Sequence, residues 1–265
     1  MKTIEKDLGV SRSEDSDHQI RLSATLVAER ADPGMLVDRL GFWSAVGAAA
    51  FSLAFGVSIL LSLLIFPQLP WTGDIWAFAA TYNPTQTALS VVPSILLAPF
   101  FLGLAVAVHY LTPTAKRPLT LLSIAIATLY AATVGINYFL QLTAVRVNVT
   151  AGTTEAMALF AMANPRSIFW ALEILGYFWQ GLAALLMATS FVGDGLERWT
   201  RWMLIAVFPT GAVGVVVALS GMLSFTNPVF MAGGGAWQVV FPAAMILSAV
   251  SFRRNLRSRA ASNLK

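Results

Sequence analysis

The sequence predicts an all-α polytopic membrane protein, a six-helix transmembrane bundle with both termini in the cytoplasm. Three observations carry this. Hydrophobic residues make up 57% of the 265 and charged residues only 11%, with a mean hydropathy of +0.71, whereas a soluble domain carries about a quarter charged residues. Six apolar runs each reach the roughly 20 residues that cross about 30 Å of hydrocarbon as a helix. Lysine and arginine fall almost wholly on one side of those runs.

Residues 1–34 hold mixed charge and end at Asp32-Pro33-Gly34. They read as a mostly disordered cytoplasmic tail. The first apolar run begins only after Arg39, later than in a cleavable signal peptide, so it is expected to stay as an anchor. The membrane unit spans 35–256, with crossings at about 41–66, 85–110, 119–144, 167–191, 202–224 and 236–252, and residues 257–265 form a basic cytoplasmic tail. An even number of crossings puts both ends on one face. The segment before the first crossing holds six Lys and Arg, the Lys116-Arg117 turn two, the Arg198/Arg201 turn two and the C-terminus five, which is fifteen, against Arg146 and Arg166 on the other face. By the positive-inside rule the fifteen are cytoplasmic. The net charge of +4 is thereby explained by topology, and no nucleic-acid partner is implied.

The first crossing repeats Ser44, Ala48, Ser52 and Gly56, small residues that let another helix backbone come close. Such a face packs a helix of the same chain, a second copy in a homo-oligomer or a partner subunit. The fifth crossing offers Gly214, Ala218 and Gly221 in the same way. Pro93, Pro99, Pro209 and Pro242 are expected to bend the second, fifth and sixth. Each outer loop contains an Asn-Pro pair (Asn83-Pro84, Asn164-Pro165, Asn227-Pro228), the last followed by Gly233-Gly234-Gly235. Asn-Pro is a common helix start, so the threefold recurrence reads as capping before it reads as a repeat.

Two crossings carry polar stripes. In the third, Tyr130, Thr133, Asn137 and Gln141 recur at helical spacing. In the fourth, expected to start at Asn164-Pro165, the stripe is Arg166, Trp170, Glu173, Tyr177 and Gln180. With a rise of 1.5 Å per residue, Asn137 and Gln141 lie about 10 and 5 Å inside the outer end, and Glu173 about 8 to 13 Å. The depths match, so the stripes are expected to face each other in the outer half of the bilayer. A carboxylate at this depth costs several kcal/mol in lipid unless it is protonated, paired or wet, which makes Glu173 the leading functional candidate. Arg146 and Arg166 are the two cations near enough to pair with it.

Several chemistries lack their residues. There is no cysteine, hence no disulfide, thiolate or zinc–sulfur site. Lys2, Lys6, Lys116 and Lys265 all lie outside the crossings, which leaves no lysine for a retinal-type Schiff base. The two histidines, His18 in the tail and His109 at the cytoplasmic end of the second crossing, do not make the facing pairs that bind transmembrane haem. No phosphate loop, zinc-protease helix or nucleophile elbow occurs. No cofactor or metal is expected. Asn148-Val149-Thr150 has the form of a glycosylation sequon, and Trp71, Tyr82, Trp170, Trp199 and Trp202 form an ordinary interfacial belt.

Around Asn137-Tyr138, Gln141, Arg146, Asn164-Pro165 and Phe169-Trp170-Ala171-Leu172-Glu173 the chain resembles small bacterial multi-pass membrane proteins of unknown function. That resemblance implies a bacterial cytoplasmic membrane and brings no catalytic residue. Three functions stay open on the residues alone. In one, Glu173, Asn137, Gln141, Tyr177, Gln180, Arg146 and Arg166 line an outward-facing polar pocket that binds or transports a small solute, lipid headgroup or proton. In another, Glu173 and an arginine form a buried structural pair in a non-catalytic membrane subunit or scaffold. In the third, Glu173 is the general acid or base of an intramembrane lipid-modifying enzyme. Membrane lipids surround the protein in all three.

Overall fold

The structure, a computed structural model, describes residues 33–66 and 71–262. Of the expected N-terminal tail, residues 1–32 lie outside the described residues, while Pro33 and Gly34 already belong to the first helix. Among the described residues there is helix, turn and bend, and no strand. The helices are α1 (Pro33–Ile65), α2 (Ile75–Thr81), α3 (Pro84–Leu111), α4 (Arg117–Leu140), α5 (Arg146–Thr150), α6 (Ile168–Ala188), α7 (Leu196–Leu219) and α8 (Pro228–Ser262). A single π-helical turn, Gln141–Val145, joins α4 to α5, so the third crossing runs unbroken over Thr114–Thr150. Among the described residues six helical segments are long and apolar enough to cross a membrane.

Capping fixes where the crossings start. Asn83 Oδ1 accepts the N–H groups of Thr85 (2.9 Å) and Gln86 (3.2 Å), and Asn227 Oδ1 those of Val229 (2.9 Å) and Phe230 (3.2 Å). Pro84 and Pro228 occupy the first helical position, where a missing N–H leaves nothing unsatisfied. α8 therefore begins eight residues before the expected 236, and Gly233-Gly234-Gly235, read from sequence as loop, lies inside it. Asn164-Pro165 behaves differently. Asn164 Oδ1 accepts Arg166 N–H at 3.0 Å and its Nδ2 donates to Ala158 O at 2.7 Å, which makes a turn. Ser167 is extended (φ −78°, ψ 160°), and α6 starts only after it. Arg166 is thus not on the helix, and the expected stripe loses its first member.

Each crossing packs on its neighbours to close a ring in the order α1, α3, α4, α6, α7, α8 and back to α1. One end of the ring gathers Lys116, Arg117, Arg198, Arg201 and the arginines of α8, and is called here the basic end; the other is the far end. The middle of the ring is filled. Phe101 packs edge-on to Tyr130 (5.6 Å between ring centres) and against Phe241 (5.8 Å), Trp237 stacks on Phe241 (4.9 Å), and Tyr177 meets Trp237 edge-on (4.8 Å). These large rings pack on one another in the interior of the bundle, and an aromatic side chain of this kind buries about 150–250 Å².

Small residues set the closest crossings. Ser44, Ala48 and Ser52 are buried within the bundle, so this face of α1 is used inside the chain and is not left over for a partner. Between α6 and α7 the approach is closer still: a methyl on Gly181 would sit 2.9 Å from Phe208 Cα, and one on Gly211 would strike the Tyr177 carbonyl and Phe178 Cα. Gly211 therefore bears the contact that the sequence reading gave to Gly214, whose nearest neighbour is the Ile174 side chain at 3.4 Å. Arg259 Nε donates to the fully buried Asp38 Oδ2 at 2.7 Å and ties the last helix to the first.

Candidate functional site

Glu173 stands five residues into α6, about 8 Å along the axis from its start. It is buried, and its neighbours come from α4. The Tyr138 hydroxyl donates to Oε1 in a short hydrogen bond, and Asn137 Nδ2 donates to Oε2 at 3.3 Å. The same Asn137 amide donates to the Phe169 carbonyl at 3.1 Å, which locks α4 to the first turn of α6. Tyr138 also lies beside Ser94 of α3 and Tyr177 of α6. Tyr130, one turn beyond Val134, closes the floor against Tyr177 with ring centres 6.4 Å apart. The result is an acid held by a phenol and an amide, enclosed where three helices meet.

No cation completes it. Among the described residues Glu173 makes no ion pair, and both arginines are exposed. Arg166 precedes α6 and points away from the bundle interior. Arg146 begins α5, beyond the π-helical turn, and its charge lies near Tyr82. Burial pushes the Tyr82 phenol above its ordinary range, and the Arg146 guanidinium works in the opposite direction. The expected structural Glu–Arg pair is therefore not formed. The reason is geometric: the π turn and the turn at Asn164 carry both arginines to the surface.

The other expected residues divide between the site and its surroundings. Asn137 is in contact with Glu173, and Tyr177 joins through Tyr138. Gln141 Nε2 instead donates to Phe160 O at 2.8 Å, fastening the 151–167 loop over the far end. Gln180, two turns below Glu173, accepts Trp237 Nε1–H at 2.8 Å through Oε1, while its Nε2 is buried without a partner. Tyr138 was missed as a site residue. Tyr130, Val134 and Tyr138 recur every four residues and are all buried, and that spacing marks the second edge of the α4 face.

Two cavities of about 460 and 470 Å³ lie elsewhere, one at the basic end and one between α7 and α8. Neither is lined by any of the seven expected residues. At Glu173 itself the side chains of Tyr138 and Asn137 close on the carboxyl group as a buried polar cluster. The π turn that follows α4 is of a kind that occurs mostly as a single-turn bulge within an α-helix and is frequent at functional sites. No family model, curated protein or solved structure matches the chain.

Proposed function

We propose that this six-span protein of the cytoplasmic membrane has a proton-binding site at Glu173, in the outer half of the bilayer, and that its occupancy is coupled to the packing of α4 on α6 in a binding or transport role. The observation that carries this reading is an enclosed carboxyl group with two hydrogen-bond donors and, among the described residues, no counter-charge. A proton is the one occupant that needs no cavity. Tyr138 and Asn137 both donate to Glu173; a protonated Glu173 adds a donor that needs an acceptor of its own, and the Tyr138 hydroxyl, which can donate or accept, is placed to turn round and take it. Both donors are on α4 and the acid is on α6, so changing the proton changes the bond between the helices. The fifteen-to-two distribution of Lys and Arg supports the orientation, with the basic end cytoplasmic.

The experiment is thermal unfolding of the purified protein across pH. Every exposed acid contributes to the pH dependence, and the difference between wild type and Glu173→Gln isolates one group. The expected result is a component of the wild-type curve that Glu173→Gln lacks. Parallel curves contradict the proposal.

The packed interior of the bundle favours a second reading, that of a non-catalytic membrane subunit or scaffold. On that reading Glu173 only holds α4 to α6: its stability curve still differs from that of Glu173→Gln by linkage, but the folded protein itself does not take up or release a proton at Glu173 and its behaviour in the folded state is the same in both.

A further inference from the structure

The basic end holds a cavity of about 460 Å³ where α3 ends, α6 turns into α7 and α8 leaves the bundle. Its apolar lining includes Val108, Leu111 and Phe252, and its charged lining is Asp194 and Glu197 from the turn into α7 and Arg254 from α8. These charges do not neutralise one another. Among the described residues Asp194 and Arg254 form no ion pair, and the Glu197 carboxylate accepts only the Gly193 N–H, at 2.8 Å. Two neighbouring polar groups are already engaged: Lys116 Nζ donates to Thr189 O at 2.9 Å, and Ser190 shares a hydrogen bond with Thr112 at 2.8 Å. Two carboxylates and a guanidinium, all on exposed residues, thus line one cavity without pairing with one another.

We propose that this cavity binds a zwitterion carrying a primary ammonium and a phosphate, the chemistry of an ethanolamine phospholipid headgroup. A guanidinium matches a phosphate bidentately, and carboxylates take the N–H donors of a primary ammonium. The apolar wall, at the level where crossings give way to basic segments, suits the start of an acyl chain. A trimethylammonium group has no N–H to give and calls for a cage of aromatic faces, whereas the aromatic lining here is Phe191 and the core residue Phe252.

The test is native mass spectrometry of the full chain from detergent containing equal amounts of phosphatidylethanolamine, phosphatidylcholine and phosphatidylglycerol. A second arm measures thermal stabilisation by free phosphoethanolamine in the absence of lipid. The expected result is retention of the ethanolamine lipid about tenfold over either competitor, the factor that one good charge-assisted contact supplies. Arg254→Gln and Asp194→Asn, neither of which removes a hydrogen bond within the protein, are each expected to abolish that preference while the protein remains monodisperse. Stabilisation by free phosphoethanolamine without lipid retention supports the same chemistry and assigns a soluble source. Equal retention of the three lipids with no response to phosphoethanolamine overturns the proposal, and so does a wild-type preference in both variants.

Discussion

Glu173 has two donors and no cation, and this makes its substitutions predictable. Glu173→Ala leaves the Tyr138 hydroxyl and part of the Asn137 amide unpaired in the interior. An unsatisfied buried donor costs about 1–3 kcal/mol, so the alanine variant should melt well below wild type, and Glu173→Gln close to it. Because Arg146 does not reach the acid, Glu173→Ala and Arg146→Ala should add to within about 0.5 kcal/mol in a double-mutant cycle. A coupling above 1 kcal/mol would restore the ion pair. Glu173 was legible in the sequence because an ionisable group stands out in an apolar run, and Asn137 because it shares the depth. Tyr138 was not, since it follows Asn137 by one residue and so falls off the stripe that the helical wheel selects. Gln141 and Gln180 were chosen for lying on the right stripes, but their partners, the Phe160 carbonyl and Trp237, come from a loop and from the sixth crossing. A helical wheel cannot see either.

Between elements, the closest contact is that of α6 with α7 at Gly181 and Gly211. Either glycine changed to alanine drives a methyl into backbone, which cannot swing aside as a side chain can, and overpacking of this kind costs about 1–3 kcal/mol. Ser52→Leu on α1 should be at least as damaging, since Ser52 is wholly buried. Gly56→Leu should be milder, because its Cβ would meet only the end of the Gln238 side chain, at 2.7 Å. Thermal stability of the four variants checks the order. The crossings themselves were legible from length and hydropathy, and the start of α3 from its Asn-Pro pair, whereas the same pair at Asn227-Pro228 was placed in a loop. The third Asn-Pro failed as a helix start because Ser167 is extended and breaks the run, a backbone choice to which the dipeptide gives no clue. Three glycines in a row read as loop, yet α8 passes through them once Asn227 has capped the helix upstream.

For the whole molecule, the ring order and the charge distribution make one prediction about topology. With no native cysteine, single cysteines at Thr72, Thr153 and Thr226 should be labelled by an impermeant maleimide in intact cells, and those at Thr114 and Ser262 should not. The reverse pattern would invert the bundle. The claim that Glu173 takes up and releases a proton inside this closed ring is tested most directly by infrared difference spectroscopy of the protein in lipid, titrated between acid and alkaline buffer. The account predicts a carbonyl band of a protonated, buried carboxyl group that appears on the acid side, vanishes on the alkaline side, is absent in Glu173→Gln and moves in Tyr138→Phe. A wild-type difference spectrum superimposable on that of Glu173→Gln would contradict it.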